Sequence, residues 1–156
     1  KKKYSDLVKF GKKKGKIGVI MSHRLVWEKC IKLNKPIFIF EDDIYFDKFT
    51  YNDLFLLYDN KDKWDIAWLG HCYETKKEKI IGNFYNSFRP RCRHAYLITP
   101  KGARIMLDNV NFLSNGDEQM GLIIYEKKIK SLSLYPPTVN QAWQTKEHSK
   151  QFISDT

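Results

Sequence analysis

Residues 36–43 constrain the fold more than any other stretch: Pro36-Ile37-Phe38-Ile39-Phe40 runs directly into Glu41-Asp42-Asp43. Four consecutive β-branched or aromatic residues read as a strand buried on both faces. Three acids at its carboxyl end repel one another unless something offsets their charge. A hard divalent cation does this, because Mg²⁺ and Mn²⁺ favour carboxylate oxygen and share their remaining sites with phosphates. Alternation along the chain puts Glu41 and Asp43 on one side and Asp42 on the other. That spacing suits an acidic pair that holds a metal and a diphosphate. An acidic turn can also be purely structural, and the tripeptide alone leaves both readings open.

Around this strand the pattern alternates. Ile17, Ile20, Met21, Trp27, Cys30 and Ile31 recur at helical spacing, and Asn34 followed by Pro36 stops the helix. A helix is expected over Tyr51 to Tyr58, then a second buried strand, Asp65-Ile66-Ala67-Trp68-Leu69, closed by Gly70. Ile80 to Arg93 shows no clear period and reads as a loop carrying aromatics and arginines. His94 to Thr99 reads as a third strand. Thr99-Pro100 then opens a helix, with Thr99 as N-cap and Ala103, Met106 and Leu107 on the apolar face. A further helix spans Asp117 to Tyr125, entered through Asn115-Gly116, and Ser131-Leu132-Ser133-Leu134 is a last strand before Pro136-Pro137. Strands alternating with helices imply an α/β layered architecture, with ligands at strand ends. No repeat or linker divides the 156 residues, so residues 1–156 read as one domain.

Composition excludes some functions and leaves others open. The formal charge of +10 would attract any anionic ligand. It suits nucleic acid as well as a sugar nucleotide, yet the chain has no recognition-helix or RNA-binding signature. Much of the surplus lies in short lysine clusters, such as Lys1-Lys2-Lys3 and Lys12-Lys13-Lys14, that fit a solvated face. No apolar run approaches the roughly 20 residues of a membrane-spanning helix, and Lys1-Lys2-Lys3 are followed by no apolar stretch of the kind a signal peptide carries. Of the three cysteines, Cys30 falls in a helical pattern as a small buried hydrophobe. Cys72 and Cys92 flank one irregular segment and could pair, which would indicate a secretory lumen; free thiols would indicate a cytoplasm.

Taken in order, several motifs together resemble glycosyltransferase family 25, which includes bacterial lipopolysaccharide glycosyltransferases and collagen hydroxylysine galactosyltransferases. They are Gly18-Val19-Ile20-Met21-Ser22-His23, Trp27, and the Ile37-to-Asp43 strand with its acids. Downstream, Trp64-Asp65-Ile66-Ala67-Trp68-Leu69-Gly70-His71-Cys72 is similar to the family's Trp-Asp strand. Cys92-Arg93-His94-Ala95-Tyr96 with Gly102-Ala103 is similar to its His-Ala-Tyr strand and following helix. Asp117-Glu118 matches an acidic pair before a helix, and Pro136-Pro137, Gln141 and Ser154-Asp155 resemble the family's carboxyl-terminal end. The cysteine-containing motifs look closest to eukaryotic and large-virus members.

The resemblance implies a GT-A-like (Rossmann-like) domain with a mostly parallel central sheet flanked by helices, its amino-terminal part short or missing. It implies transfer of a hexose from a nucleotide sugar, most simply a UDP-hexose, with Mn²⁺ or Mg²⁺ and with inversion. Glu41 and Asp43 are then the metal ligands, and Asp42, Ser22 and His23 belong to the donor site. Asp117 is the general base with Glu118 as runner-up, although Asp117 also suits a plain helix cap. The acceptor is a glycan or a protein, with no nucleic acid and no integral membrane segment; a homo-oligomer stays open. Arg89, Arg91 and Arg93 could bind diphosphate, but surface charge is their default reading, and His94 reads as structural. Tyr135 and Trp143 could stack on a sugar, although packing near a Pro-Pro turn explains them equally. The rival reading is a degenerate family member that serves as a non-catalytic binding or accessory module.

Overall fold

The computed structural model describes residues 14–47, 51–72, 78–111 and 116–142. Among these the order is α1 (Lys14–Leu33), β1 (Ile37–Phe40), β2 (Ile44–Phe46), α2 (Tyr51–Asp59), β3 (Ile66–Cys72), β4 (Lys79–Ile81), β5 (Phe84–Asn86), β6 (Arg91–Ile98), α3 (Pro100–Asn109), α4 (Gly116–Glu126), β7 (Ser131–Leu134) and β8 (Val139–Gln141). Asn115, Trp143, Ser154 and Asp155 lie outside the described residues. Among the described residues, no helix is long and apolar enough to cross a membrane.

Local chemistry sets the helix ends. Asn34 takes the left-handed conformation at φ 49, and its N–H reaches the Ile31 carbonyl at 3.1 Å. Asn tolerates that geometry, and Pro36 cannot extend the helix beyond it. At α3 the extended Thr99 accepts a hydrogen bond from the Gly102 N–H at 3.1 Å, with Pro100 in the first turn. This is the cap expected from Thr99-Pro100.

The main sheet has six strands in the order β1-β6-β3-β7-β5-β4. The α/β class holds, but the parallel character is modest. β6 runs antiparallel to both β1 and β3, β5 runs antiparallel to β4 and to β7, and only β3 and β7 are parallel. Connections explain the mixture: β4 and β5 are joined by the two residues Gly82 and Asn83, which permits only a hairpin, whereas the path from β3 to β7 contains α3 and α4. The segment expected as a loop, Ile80 to Arg93, thus contains β4, β5 and the start of β6. Strands of three residues are too short to display a period.

Period-two alternation divides the core between the two faces of the sheet. Ile66 and Trp68 of β3, with Tyr96 and Ile98 of β6, pack beneath α1, α3 and α4 through Ile20, Trp27, Met106 and Ile124. Ala67 and Leu69, with Ala95 and Leu97, face the other way onto Leu57, Trp64, Phe84 and Val139. Cys30 is fully buried in the first cluster, and burial pushes its thiol up to about 11. The strand expected to be hidden on both faces is hidden on one. β1 is the sheet edge: Ile39 is buried, while Phe38 and Phe40 remain 45% and 40% exposed. Phe40 meets Phe46 edge-on at 5.4 Å, so β2 covers that face only in part.

A second ladder went unread in the sequence. β2 and β8 pair antiparallel, with Ile44 opposite Gln141. The Thr138 N–H ties this ladder to β3 through the Leu69 carbonyl at 3.0 Å. Gly70 allows the close approach, because a Cβ there would collide with the His94 ring and the Val139 carbonyl oxygen. Gly70→Ala should therefore cost about 1–3 kcal/mol. Urea denaturation should show a lower midpoint at unchanged slope; an unchanged midpoint contradicts the close packing.

Candidate functional site

The acids after β1 line a cleft of about 680 Å³, together with Ser22 and His23 of α1, Arg93 of β6 and Asp117 of α4. Four separate elements therefore converge on one concavity. Glu118 lines the neighbouring depression with Arg91 and Asp117. Asp117 and Glu118 both sit in the first turn of α4, where exposed backbone N–H groups favour negative charge.

A buried chain of hydrogen bonds fixes Glu41. The Trp27 indole N–H donates to the Tyr96 hydroxyl at 3.0 Å, so the Tyr96 proton is left for His23 Nδ1 at 2.7 Å. His23 Nε2–H then donates to Glu41 Oε1 at 3.2 Å. This order pairs every proton in the chain and sets the His23 tautomer. Tyr96 is fully buried, and burial pushes its hydroxyl well above the usual phenol range, so it remains an O–H donor. For Glu41, burial raises the pKa, but the hydrogen bond from His23 and the positive charge of Arg93 outweigh it. The carboxyl ends below its ordinary value of 4.5.

Arg93 is not the surface charge it resembles in sequence. Its side chain is 12% exposed, and Nε lies 3.2 Å from Asp117 Oδ1 and 3.5 Å from Glu41 Oε1. Arg89 and Arg91, by contrast, are exposed. Both Arg93 distances are ion-pair contacts; the N–H is not aimed well enough at either oxygen to count as a hydrogen bond. Arg93 therefore bridges the acidic strand end and α4.

Gln141, read from sequence only as part of the carboxyl-terminal pattern, sits on the acids. Its amide nitrogen is 3.1 Å from Asp43 Oδ2 and 3.5 Å from Glu41 Oε2. The Ala142 N–H reaches the Asp43 carbonyl at 2.8 Å and locks the β2–β8 register beside it. One donor group touching both carboxylates means that Glu41 and Asp43 face a common point, as two ligands of one cation would. Asp42 does not close with them into a compact trio. Among the described residues the only group of three His, Cys, Asp or Glu side chains whose ligand atoms lie within 4.8 Å of one another is Cys72, Cys92 and His94. Two carboxylates with phosphate oxygens and water suit Mg²⁺ or Mn²⁺, which rarely take an all-protein cage.

The remaining expected residues divide. Ser22 lines the cleft, but its hydroxyl donates to the Gly18 carbonyl of its own helix at 3.1 Å. His94 is 1% exposed and bonded to the Val139 carbonyl at 3.0 Å, which is the structural role read for it. Tyr135 packs on His71 and Tyr85 rather than lining the cleft. Cys72 and Cys92 form a disulfide.

A sequence model described as glycosyltransferase family 25 (LPS biosynthesis protein) matches residues 11–120. The matched stretch contains Ser22, His23, the three acids, Arg93 and Asp117, and it ends before Gln141. No curated protein matches the chain.

The fold favours ionised Glu41, so its contribution to stability is complete above the ordinary value of 4.5 and fades as pH falls through the lower folded value. Thermal melts of wild type and Glu41→Gln from about pH 7 down to about pH 3 should show the gap in Tm shrinking in acid. A gap constant with pH contradicts this.

Proposed function

The chain belongs to glycosyltransferase family 25, and from that premise we propose that it transfers a hexose, galactose or glucose, from a nucleotide sugar to a hydroxyl of a glycan or of hydroxylysine, with inversion and with Mn²⁺ or Mg²⁺. The observation that carries this reading is the convergence of Glu41, Asp43 and Asp117 on one cleft, bridged by Arg93.

Glu41 and Asp43 would hold the ion, which when bound neutralises charge on the donor diphosphate and on the nucleoside diphosphate that leaves. The Trp27–Tyr96–His23 chain keeps Glu41 oriented before any ligand arrives, so little reorganisation is needed on binding. Asp42, which lines the same cleft, faces the donor sugar in this reading. Asp117 takes the proton from the acceptor hydroxyl as its oxygen attacks the anomeric carbon, and Glu118 stands next in line. Arg93 orients Asp117 toward the cleft and holds α4 at a set distance from the acids. Inversion follows from one displacement, with base and leaving group on opposite sides of the sugar.

Calorimetric titration with UDP, UDP-galactose, UDP-glucose and GDP, with and without Mn²⁺, tests the donor site. One nucleotide should bind only with metal, and Asp43→Ala should abolish that binding. A folded wild-type chain that binds none of them would overturn the reading and leave a non-catalytic module. Asp117→Asn should keep donor binding yet lose about 10²-fold or more in kcat; near-normal turnover would reduce Asp117 to a helix-end charge.

A further inference from the structure

Outside the cleft, one cluster carries chemistry that hexosyl transfer does not use. His94 is 1% exposed, and its Nε2–H is committed to the Val139 carbonyl at 3.0 Å. Nδ1 therefore bears a lone pair, yet it has no hydrogen-bond partner among the described residues. Burying such an atom unsatisfied carries a desolvation cost that a ligand would remove. The histidine's neighbours are the two cysteines: ligand atoms of Cys72, Cys92 and His94 all lie within 4.8 Å of one another.

We propose that, when the Cys72–Cys92 disulfide is reduced, Cys72, Cys92 and His94 become a thiolate–imidazole site for a thiophilic divalent cation, zinc by its ligand chemistry, with water in the fourth position. Two thiolates and one imidazole are a ligand set that zinc accepts. Tetrahedral Zn–S and Zn–N bonds place the ligand atoms about 3.5–3.8 Å apart, inside the observed grouping once the S–S bond opens. The Cα atoms, 5.4 Å apart, need not separate far. Cys92 is only half-buried, which leaves water a route to the fourth position. The Val139 bond supplies the partner that a ligating histidine ordinarily has on its other nitrogen, and it fixes the tautomer.

The conversion balances. A dithiol cleaves the S–S bond, delivers two electrons and two protons, and leaves as its own disulfide. The cation then displaces both thiol protons to solvent and forms two metal–sulfur bonds and one metal–nitrogen bond. Either form clips β3 to β6 at the irregular register between Gly70 and Cys72. Arg93, which bridges Glu41 and Asp117, follows directly on Cys92. The same strand end is therefore held in an oxidising or a reducing compartment, by different bonds.

The test uses Co²⁺ as the spectroscopic probe on the full chain, reduced with a dithiol and then freed of it. One equivalent should develop a thiolate-to-cobalt charge-transfer band that Zn²⁺ removes, and the oxidised chain should develop none. Cys92→Ser should lose the band, and His94→Gln should bind at least about tenfold more weakly. Asp43→Ala should keep it, because oxygen ligands alone give no such band; failure of the donor site is thus read separately. Circular dichroism verifies that each variant is folded. A folded, reduced wild type without the band overturns the proposal, and an unchanged affinity in folded His94→Gln removes His94 from the site.

Discussion

The hydrogen bond between the Tyr96 hydroxyl and His23 joins the core to the cleft, and much of the site depends on it. Tyr96 sits in the central part of the sheet under α1, where an unpaired hydroxyl would cost about 1–3 kcal/mol. Trp27 satisfies one side of that hydroxyl and His23 the other. The same packing that buries α1 on the sheet therefore decides where His23 Nε2 points, and with it where Glu41 stands. A charged group at the cleft inherits its position from apolar residues it never touches. Such support is what gives a polar site its precision.

β6 is the strand on which the rest is assembled. It separates β1 from β3, supplies Tyr96 to the core, places Arg93 between two acids and carries Cys92 and His94 onto one face with Gly70 and Cys72. Irregularity at its start is part of this. Cys92 lies at φ 62, and the register with β3 shifts nearby. Arg93 and His94, consecutive on β6, point to opposite sides, Arg93 to the acids and His94 to the Val139 carbonyl.

What could be read from sequence was local or carried by ordered motifs. The α1 stop at Asn34 and Pro36, the Thr99 cap and the buried run from Ile66 to Leu69 are each fixed within a few residues. The Glu41-Asp42-Asp43 turn and Asp117, singled out by motif order, line one cleft. Most of the misses involve partners far away in the chain. Phe38 and Phe40 look like core until β1 is known to be an edge. β4 and β5 are too short to show a period, and the arginines around them look alike until pairing turns one inward. Gln141 meets Asp43 across 98 residues, and no local pattern announces such a contact.

That separation has a consequence for how the protein is made. Synthesis runs from the amino terminus at about 5–20 residues per second, so the acids emerge about 5–20 seconds before the strand that carries Gln141 and closes the register beside Asp43. Through that interval the nascent chain displays an acidic turn without its amide cover. The concavity can take its finished shape only after β8 has left the ribosome.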